Sequence, residues 1–210
     1  MRTGCVLIVF ARAPVPGRAK TRLAPRLGAW RAARLQARLA ERALATARRA
    51  GCGAVELHVT PARGHAFFRR WRNKFKVTLE SQRGAELGER MHGAFVRSLR
   101  RHRRAVLIGS DCPELTPRDL RRAAGLLRGA CDAVLAPAED GGYGLIALRR
   151  ASRALFEGLR WGGAEVYRDT VQRFAAHGVR WRALRTVWDV DRPEDLERLS
   201  ALLLRRQSAR

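Results

Sequence analysis

The loop Ala13-Pro-Val-Pro-Gly-Arg-Ala-Lys-Thr-Arg-Leu23 sets three cations, Arg18, Lys20 and Arg22, just after Gly17. Glycine lets a backbone approach a ligand closely, and cations beside free N–H groups suit a di- or triphosphate. A Walker P-loop is excluded: Gly17 stands at the wrong spacing from Lys20-Thr21, and Pro14 and Pro16 remove N–H donors. A second segment, Gln82 to Met91, contains Gly84 and Gly88 and suits either an irregular loop facing a base or sugar or a plain glycine turn. A third, Gly109-Ser-Asp-Cys-Pro113, puts Asp111 just past an apolar run. A carboxylate there suits Mg²⁺ or Mn²⁺ shared with phosphates, and equally an Asx turn before Pro113. The fourth signal is acidic. Before Glu80 the only carboxylates are Glu41 and Glu56, yet Asp189, Asp191, Glu194, Asp195 and Glu197 cluster near the end, with Glu139-Asp-Gly-Gly-Tyr143 upstream. Glu194 and Asp195 suit the first turn of a helix. Asp189 and Asp191 are the better ligand candidates, although one of them could cap that helix.

These loops need elements to hold them. Cys5 to Phe10 reads as a buried first strand, and residues 29–50 read as a helix with Leu35, Leu39 and Ala43 in phase and Gly51 as its stop. Strands are expected at 55–60, 76–80, 106–108, 133–136, 143–148 and 179–187, with helices at 89–102, from Thr116, near 164–177, and from Pro193 to about Arg205. Thr116 has the character of an N-cap, with Pro117 at N1 and Asp119 at N3. Short apolar runs alternating with helical patterns predict a Rossmann-like α/β fold with a mostly parallel central sheet. Each chemical loop follows a strand, where open α/β sheets bind ligands.

Composition narrows the class. The 210 residues suit one domain spanning 1–210. The chain carries 43 basic residues against 19 acidic, a net charge of +24, and all basic residues but Lys20, Lys74 and Lys76 are arginine. With the many alanines this matches a GC-rich coding bias; the functional reading is a phosphate-rich ligand, either a nucleotide or a nucleic-acid backbone. The Arg100–Arg104 run is the best local argument for nucleic acid, and is otherwise a solvated helix end. Cys5, Cys52, Cys112 and Cys131 form no C-x-x-C pair, which argues against a zinc ribbon and suits a reducing cytoplasm. No segment is a signal peptide or a membrane span. Trp30, Trp71, Trp161 and Trp181 read as packing residues, and Cys112 has no histidine near it in sequence to activate it.

The ordered motifs Val9 to Leu23, Leu87-Gly-Glu-Arg-Met91, Ile108-Gly-Ser-Asp-Cys-Pro113, Glu139-Asp-Gly-Gly-Tyr143 and Asp189-Val-Asp-Arg-Pro-Glu-Asp-Leu196 resemble one family. It is that of the GT-A-like transferases found near radical-SAM and selenodomain proteins, some of them named arsenosugar-biosynthesis glycosyltransferases. The chain is more distantly similar to molybdenum-cofactor and 2-phospholactate nucleotidyltransferases. The resemblance implies a three-layer αβα GT-A fold that takes a nucleotide-sugar or NTP donor and a small-molecule acceptor. It implies that Ala11, Pro16, Gly17, Arg18, Lys20, Arg22, Gln82 and Gly84 bind the nucleotide. Lys20, Arg22 and Asp111 would act in catalysis, with Asp140, Gly141 and Gly142 on the acceptor side. A divalent metal, Mg²⁺ or Mn²⁺, would sit on Asp111 with Asp189 or Asp191. Ser110-Asp-Cys112 stands in place of a full Asp-x-Asp. Either glycosyl transfer or nucleotidyl transfer with release of pyrophosphate fits these loops, the closer subfamily favouring the former.

Overall fold

A computed structural model describes residues 3–61 and 63–207. Its seven strands are β1 (Thr3–Arg12), β2 (Gly53–Thr60), β3 (Thr78–Ser81), β4 (His102–Gly109), β5 (Ala133–Pro137), β6 (Tyr143–Leu148) and β7 (Trp181–Ala183). They form one sheet in the order β3-β2-β1-β4-β6-β5-β7. All pairings are parallel except those of β6, which runs antiparallel to both β4 and β5. The helices are α1 (Ala24–Leu27), α2 (Ala29–Ala50), α3 (Ala66–Phe75), α4 (Leu87–Leu99), α5 (Pro117–Leu126), α6 (Val166–Ala176) and α7 (Asp195–Gln207).

The two-residue period of a strand explains the layers. From β1, Cys5, Leu7, Val9 and Ala11 face a cluster built with Ala40, Leu44 and Ala47 of α2, Phe68 and Trp71 of α3, and Leu120 and Ala123 of α5. Val6, Ile8 and Phe10 face the opposite cluster, with Met91, Ala94 and Phe95 of α4 and Phe174 of α6. Each fully buried large apolar side chain here contributes roughly 1.5–3 kcal/mol relative to exposure. The mostly parallel, helix-covered sheet expected from the alternating pattern is therefore present. A third, smaller cluster joins Leu23 and Leu39 to Trp188, Val190 and Leu199. It pins the segment before α7 against α2.

Several boundaries differ from the sequence expectation. Helix α3 fills a stretch where none is expected; Phe68 and Trp71 bury one side of a short, otherwise basic segment. The helix expected at 89–102 ends at Leu99, and β4 already starts at His102. The Arg100–Arg104 run is thus a turn leading into a strand, not a solvated helix end. Arg101 reaches the Glu56 carboxylate at 2.8 Å, and Arg104 donates to the Ala124 carbonyl at 3.0 Å. The strand expected at 179–187 is paired only over Trp181–Ala183, with a lone bridge between Ala138 and Val187. Arg185, between them, turns instead to Glu114 and Asp119. Trp30 is not a packing residue: it is 76% exposed, whereas Trp71 is fully buried. No helix among the described residues is long and apolar enough to cross a membrane.

Candidate active site

The loops after β1 and β4 meet because β1 and β4 are parallel neighbours, paired from Thr3 with His102 to Phe10 with Gly109. Their carboxyl ends therefore open on the same side. In the first loop, Arg18 and Ala19 both donate their N–H to the Val15 carbonyl at 3.0 Å. Those two amides are thus used within the loop rather than left free for a ligand. Lys20 follows in a left-handed conformation, φ 51, uncommon for a residue with a side chain. This turns its side chain inward, where it is 4% exposed and its Nζ lies 2.8 Å from Asp111 Oδ2. Asp111 is held further: Ser110 Oγ donates to Asp111 Oδ1 at 3.0 Å, and Gln36 Nε2 donates to Ser110 Oγ at 3.1 Å.

The segment before α7 arrives at the same place. Val190 N–H donates to the Asp111 carbonyl at 3.0 Å, which ties the two loops together. Trp188 and Val190 are buried, and the alternating residues Asp189 and Asp191 line the clefts on the other side. Arg22 pairs with Asp191 at 2.5 Å. Asp195, the first residue of α7, reaches back to accept from Asp191 N–H at 2.9 Å and from Arg192 N–H at 2.6 Å. Arg198 of α7 pairs with Glu139 in the β5–β6 loop and lies 4.6 Å over the Trp188 ring, docking the helix on that loop. Helix α5 opens as expected, with reciprocal Thr116 and Asp119 hydrogen bonds.

Two cavities open at this edge. The first, of about 380 Å³, is lined by Ala11, Arg18, Lys20, Arg22, Gln82, Asp111 and Asp191 of the expected residues. Arg12, Gln36, Thr60 and Arg90 also line it and were not singled out in the sequence. Arg12 and Thr60 end β1 and β2, so strand-end position was a usable signal for them. Gln82 spends its amide N–H groups on the His58 carbonyl at 2.9 Å and the Ala11 carbonyl at 3.4 Å. Pro16 lines a different cavity, beside Trp30. Gly17 and Gly84 are not among the residues described on the wall of the basic cleft.

The second cavity, of about 270 Å³, contains Asp111, Asp140, Gly142 and Asp189. Asp140 Oδ1 accepts from Gly142 N–H at 2.9 Å in a tight turn. Gly141 plays a packing part. Its φ is 86, and a Cβ on it would fall 1.8 Å from the Ala164 carbonyl oxygen. Its own carbonyl accepts from Tyr167 N–H at 2.8 Å. Trp161, unremarkable in sequence, forms part of the wall and lies against Gly88, where a Cβ would come within 2.5 Å of its Nε1.

Burial, with repulsion from Asp140 and also Asp111 and Asp191, raises the Asp189 carboxyl to about 6. Crowded, half-buried carboxylates of this kind suit a hard divalent cation. Among the described residues no three His, Cys, Asp or Glu side chains converge as a ready-made cage. Asp111 and Asp189 supply carboxylate oxygens, the donor type that hard cations take. Burial and the adjacent Asp189 and Asp111 push the Cys112 thiol far up, which disfavours the thiolate.

The sheet, its order and its strand-end clefts define an α/β Rossmann-like fold of the kind found in nucleotide-sugar transferases. The chain belongs to the family described as "Uncharacterized protein conserved in bacteria (DUF2064)", which matches residues 43–163. Among solved structures it is similar to a protein from Desulfovibrio desulfuricans G20 provisionally assigned as a nucleotide-diphospho-sugar transferase. The two are 29% identical with a TM-score of 0.83, over 90% of this chain and 83% of that one. It shares its fold with 4-diphosphocytidyl-2C-methyl-D-erythritol synthase from Anaerococcus prevotii, at 10% identity and TM-score 0.66 over 96% of both chains. It likewise shares it with glucosyl-3-phosphoglycerate synthase from Mycobacterium tuberculosis, solved with Mn²⁺ and UDP, at 13% identity and TM-score 0.57 over 92% of this chain and 74% of that one. No curated protein matches the chain. The structural neighbours are thus glycosyl- and nucleotidyltransferases.

Proposed function

We propose that this chain, acting as one unit over residues 1–210 in the cytoplasm, transfers a sugar from a nucleotide-sugar to a small-molecule acceptor. The narrower association with radical-SAM and selenodomain systems, as in arsenosugar-type glycosyltransferases, is part of this reading. The observation that carries it is the meeting of Lys20 and Asp111 at the carboxyl ends of β1 and β4, with cations on one side and carboxylates on the other.

Arg18, Lys20 and Arg22 would bind the donor diphosphate and stabilise charge as it develops on the leaving group. Ala11 and Gln82 would border the base. Asp111 and Asp189 would hold a divalent ion, whose chemistry is charge neutralisation of the diphosphate. The acceptor oxygen attacks the anomeric carbon. The bond from that carbon to the phosphate oxygen breaks, its electron pair leaves on the nucleoside diphosphate, and the hydroxyl proton passes to a carboxylate of the second cavity. Nucleotidyl transfer would use the same donor cleft but a phosphate nucleophile.

The test is a thermal-shift screen of the purified chain with UDP-, GDP-, ADP- and CDP-sugars and with NTPs, each with Mn²⁺, Mg²⁺ or EDTA. A ligand that binds only the native state raises the midpoint by mass action. A shift with one nucleotide family that falls away in EDTA is expected. No shift with any nucleotide, with a salt-sensitive shift on RNA or DNA instead, would replace this reading by nucleic-acid binding.

A further inference from the structure

The two cavities divide charge in a way that the chain's composition does not explain. The donor cleft carries Arg12, Arg18, Lys20, Arg22 and Arg90. The second cavity meets it at Phe10, Leu87, Gly109 and Asp111, yet among the described residues its wall contains no Lys or Arg. Its charged groups are Asp111, Asp140 and Asp189, and Met91, Leu107, Ile146 and Trp161 give it apolar walls. Four other cavities of this +24 chain each carry at least three arginines. An arginine excess from coding bias would fall on this wall too, so its absence there belongs to the cavity.

A phosphate or carboxylate entering would lose hydration between apolar walls and meet the Asp140 and Asp189 carboxylates, while the nearest cation, Lys20, is already paired with Asp111 at 2.8 Å and an ion held on Asp111 and Asp189 would be taken up by the donor diphosphate. Each of these disfavours an anion. We propose that the second cavity selects a phosphate-free acceptor, neutral or cationic, with an apolar body and a hydroxyl directed toward Asp111. This inference rests on the transferase reading and decides within it. A phosphate nucleophile, which nucleotidyl transfer to a phosphorylated substrate needs, is excluded from this cavity, and glycosyl transfer to a hydroxyl is retained.

The test compares three probes that share one skeleton: tyramine, which is cationic; tyrosol, which is neutral; and 4-hydroxyphenylacetate, which is anionic. Their dissociation constants are measured on the full chain by ligand-observed NMR at physiological salt, with and without UDP. General attraction to a +24 protein favours the anion, so the opposite order reports the cavity. Tyramine and tyrosol are expected to bind about tenfold or more tightly than 4-hydroxyphenylacetate, a difference of about 1.4 kcal/mol or more. Asp140 is exposed, and Asp140→Asn keeps an oxygen for the Gly142 N–H, so this variant folds. It should narrow the cation-over-anion ratio several-fold. Equal or tighter binding of the anion, or a ratio unmoved by Asp140→Asn, overturns the proposal. The nucleotide screen fails or succeeds separately: if the probe order holds and no nucleotide binds, the transferase reading falls and the cavity's selectivity stands.

Discussion

Lys20 Nζ lies 2.8 Å from Asp111 Oδ2, so a cation from the loop after β1 is neutralised by a carboxylate from the loop after β4. Lys20 is almost wholly buried, whereas Asp111 is 40% exposed and can turn to a second partner. The pair therefore holds the lysine in place while leaving part of the carboxylate open to the cleft.

Lys20→Ala should weaken nucleotide binding about tenfold or more, the scale of one charge-assisted hydrogen bond to a phosphate. Isothermal titration with the nucleotide found by the screen measures it. The melting midpoint should move by only a few degrees, because the remaining carboxylate still reaches water. Unchanged affinity would remove Lys20 from the donor site.

Asp111→Asn separates the metal from the lysine. Binding in EDTA should be retained or strengthened, since a negative charge beside the phosphates is gone and Lys20 is released. The increment given by Mn²⁺ should be lost. A variant that keeps the full Mn²⁺ increment would place the ion elsewhere.

The acid limb of stability should depend on Glu56. Burial opposes its charge, but hydrogen bonds from His58 Nε2 at 2.9 Å and Ser98 Oγ at 2.6 Å, with Arg101 close by, hold its pKa at about 2 against an ordinary 4.5. The folded pKa lies below the unfolded one. Its stabilisation is therefore fully present above about pH 4.5 and is lost as pH falls toward 2, a span on the order of 3 kcal/mol. Urea denaturation of the protein and of Glu56→Gln should differ by a wide margin at pH 7 and converge toward pH 3. A constant difference across that range would contradict the assignment.

Gly141→Ala should cost about 2 kcal/mol or more, because its Cβ would collide with the Ala164 carbonyl and its φ is 86. Gly162→Ala is the control: φ is 84, but nothing lies within 4 Å of the added Cβ, so only the backbone penalty of about 1 kcal/mol remains. Denaturation midpoints compare the two, and equal losses would show that the Gly141–Ala164 contact does not constrain the loop.

Much of the framework was legible because it is local. The alternation in β1, the phase of Leu39 and Ala43 in α2, and the Thr116 cap depend on repeats and hydrogen bonds within one segment. The strand-end positions of Asp111 and the Arg18–Arg22 loop followed from the same patterns. Helix α3 and the short β7 did not, since their lengths are set by what they pack against and not by their own sequence. The pairing of Lys20 with Asp111, the reach of Asp195 back to the Asp191 amide, and the contact of Trp161 with Gly88 join residues distant or ambiguous in the chain. The sequence by itself determined the place of most strands, the α/β class and the inventory of charges. The tertiary structure alone decided that arginines line the donor cleft and leave its neighbour to carboxylates and apolar walls, because strand order and register, which no local period encodes, choose the neighbours of each loop.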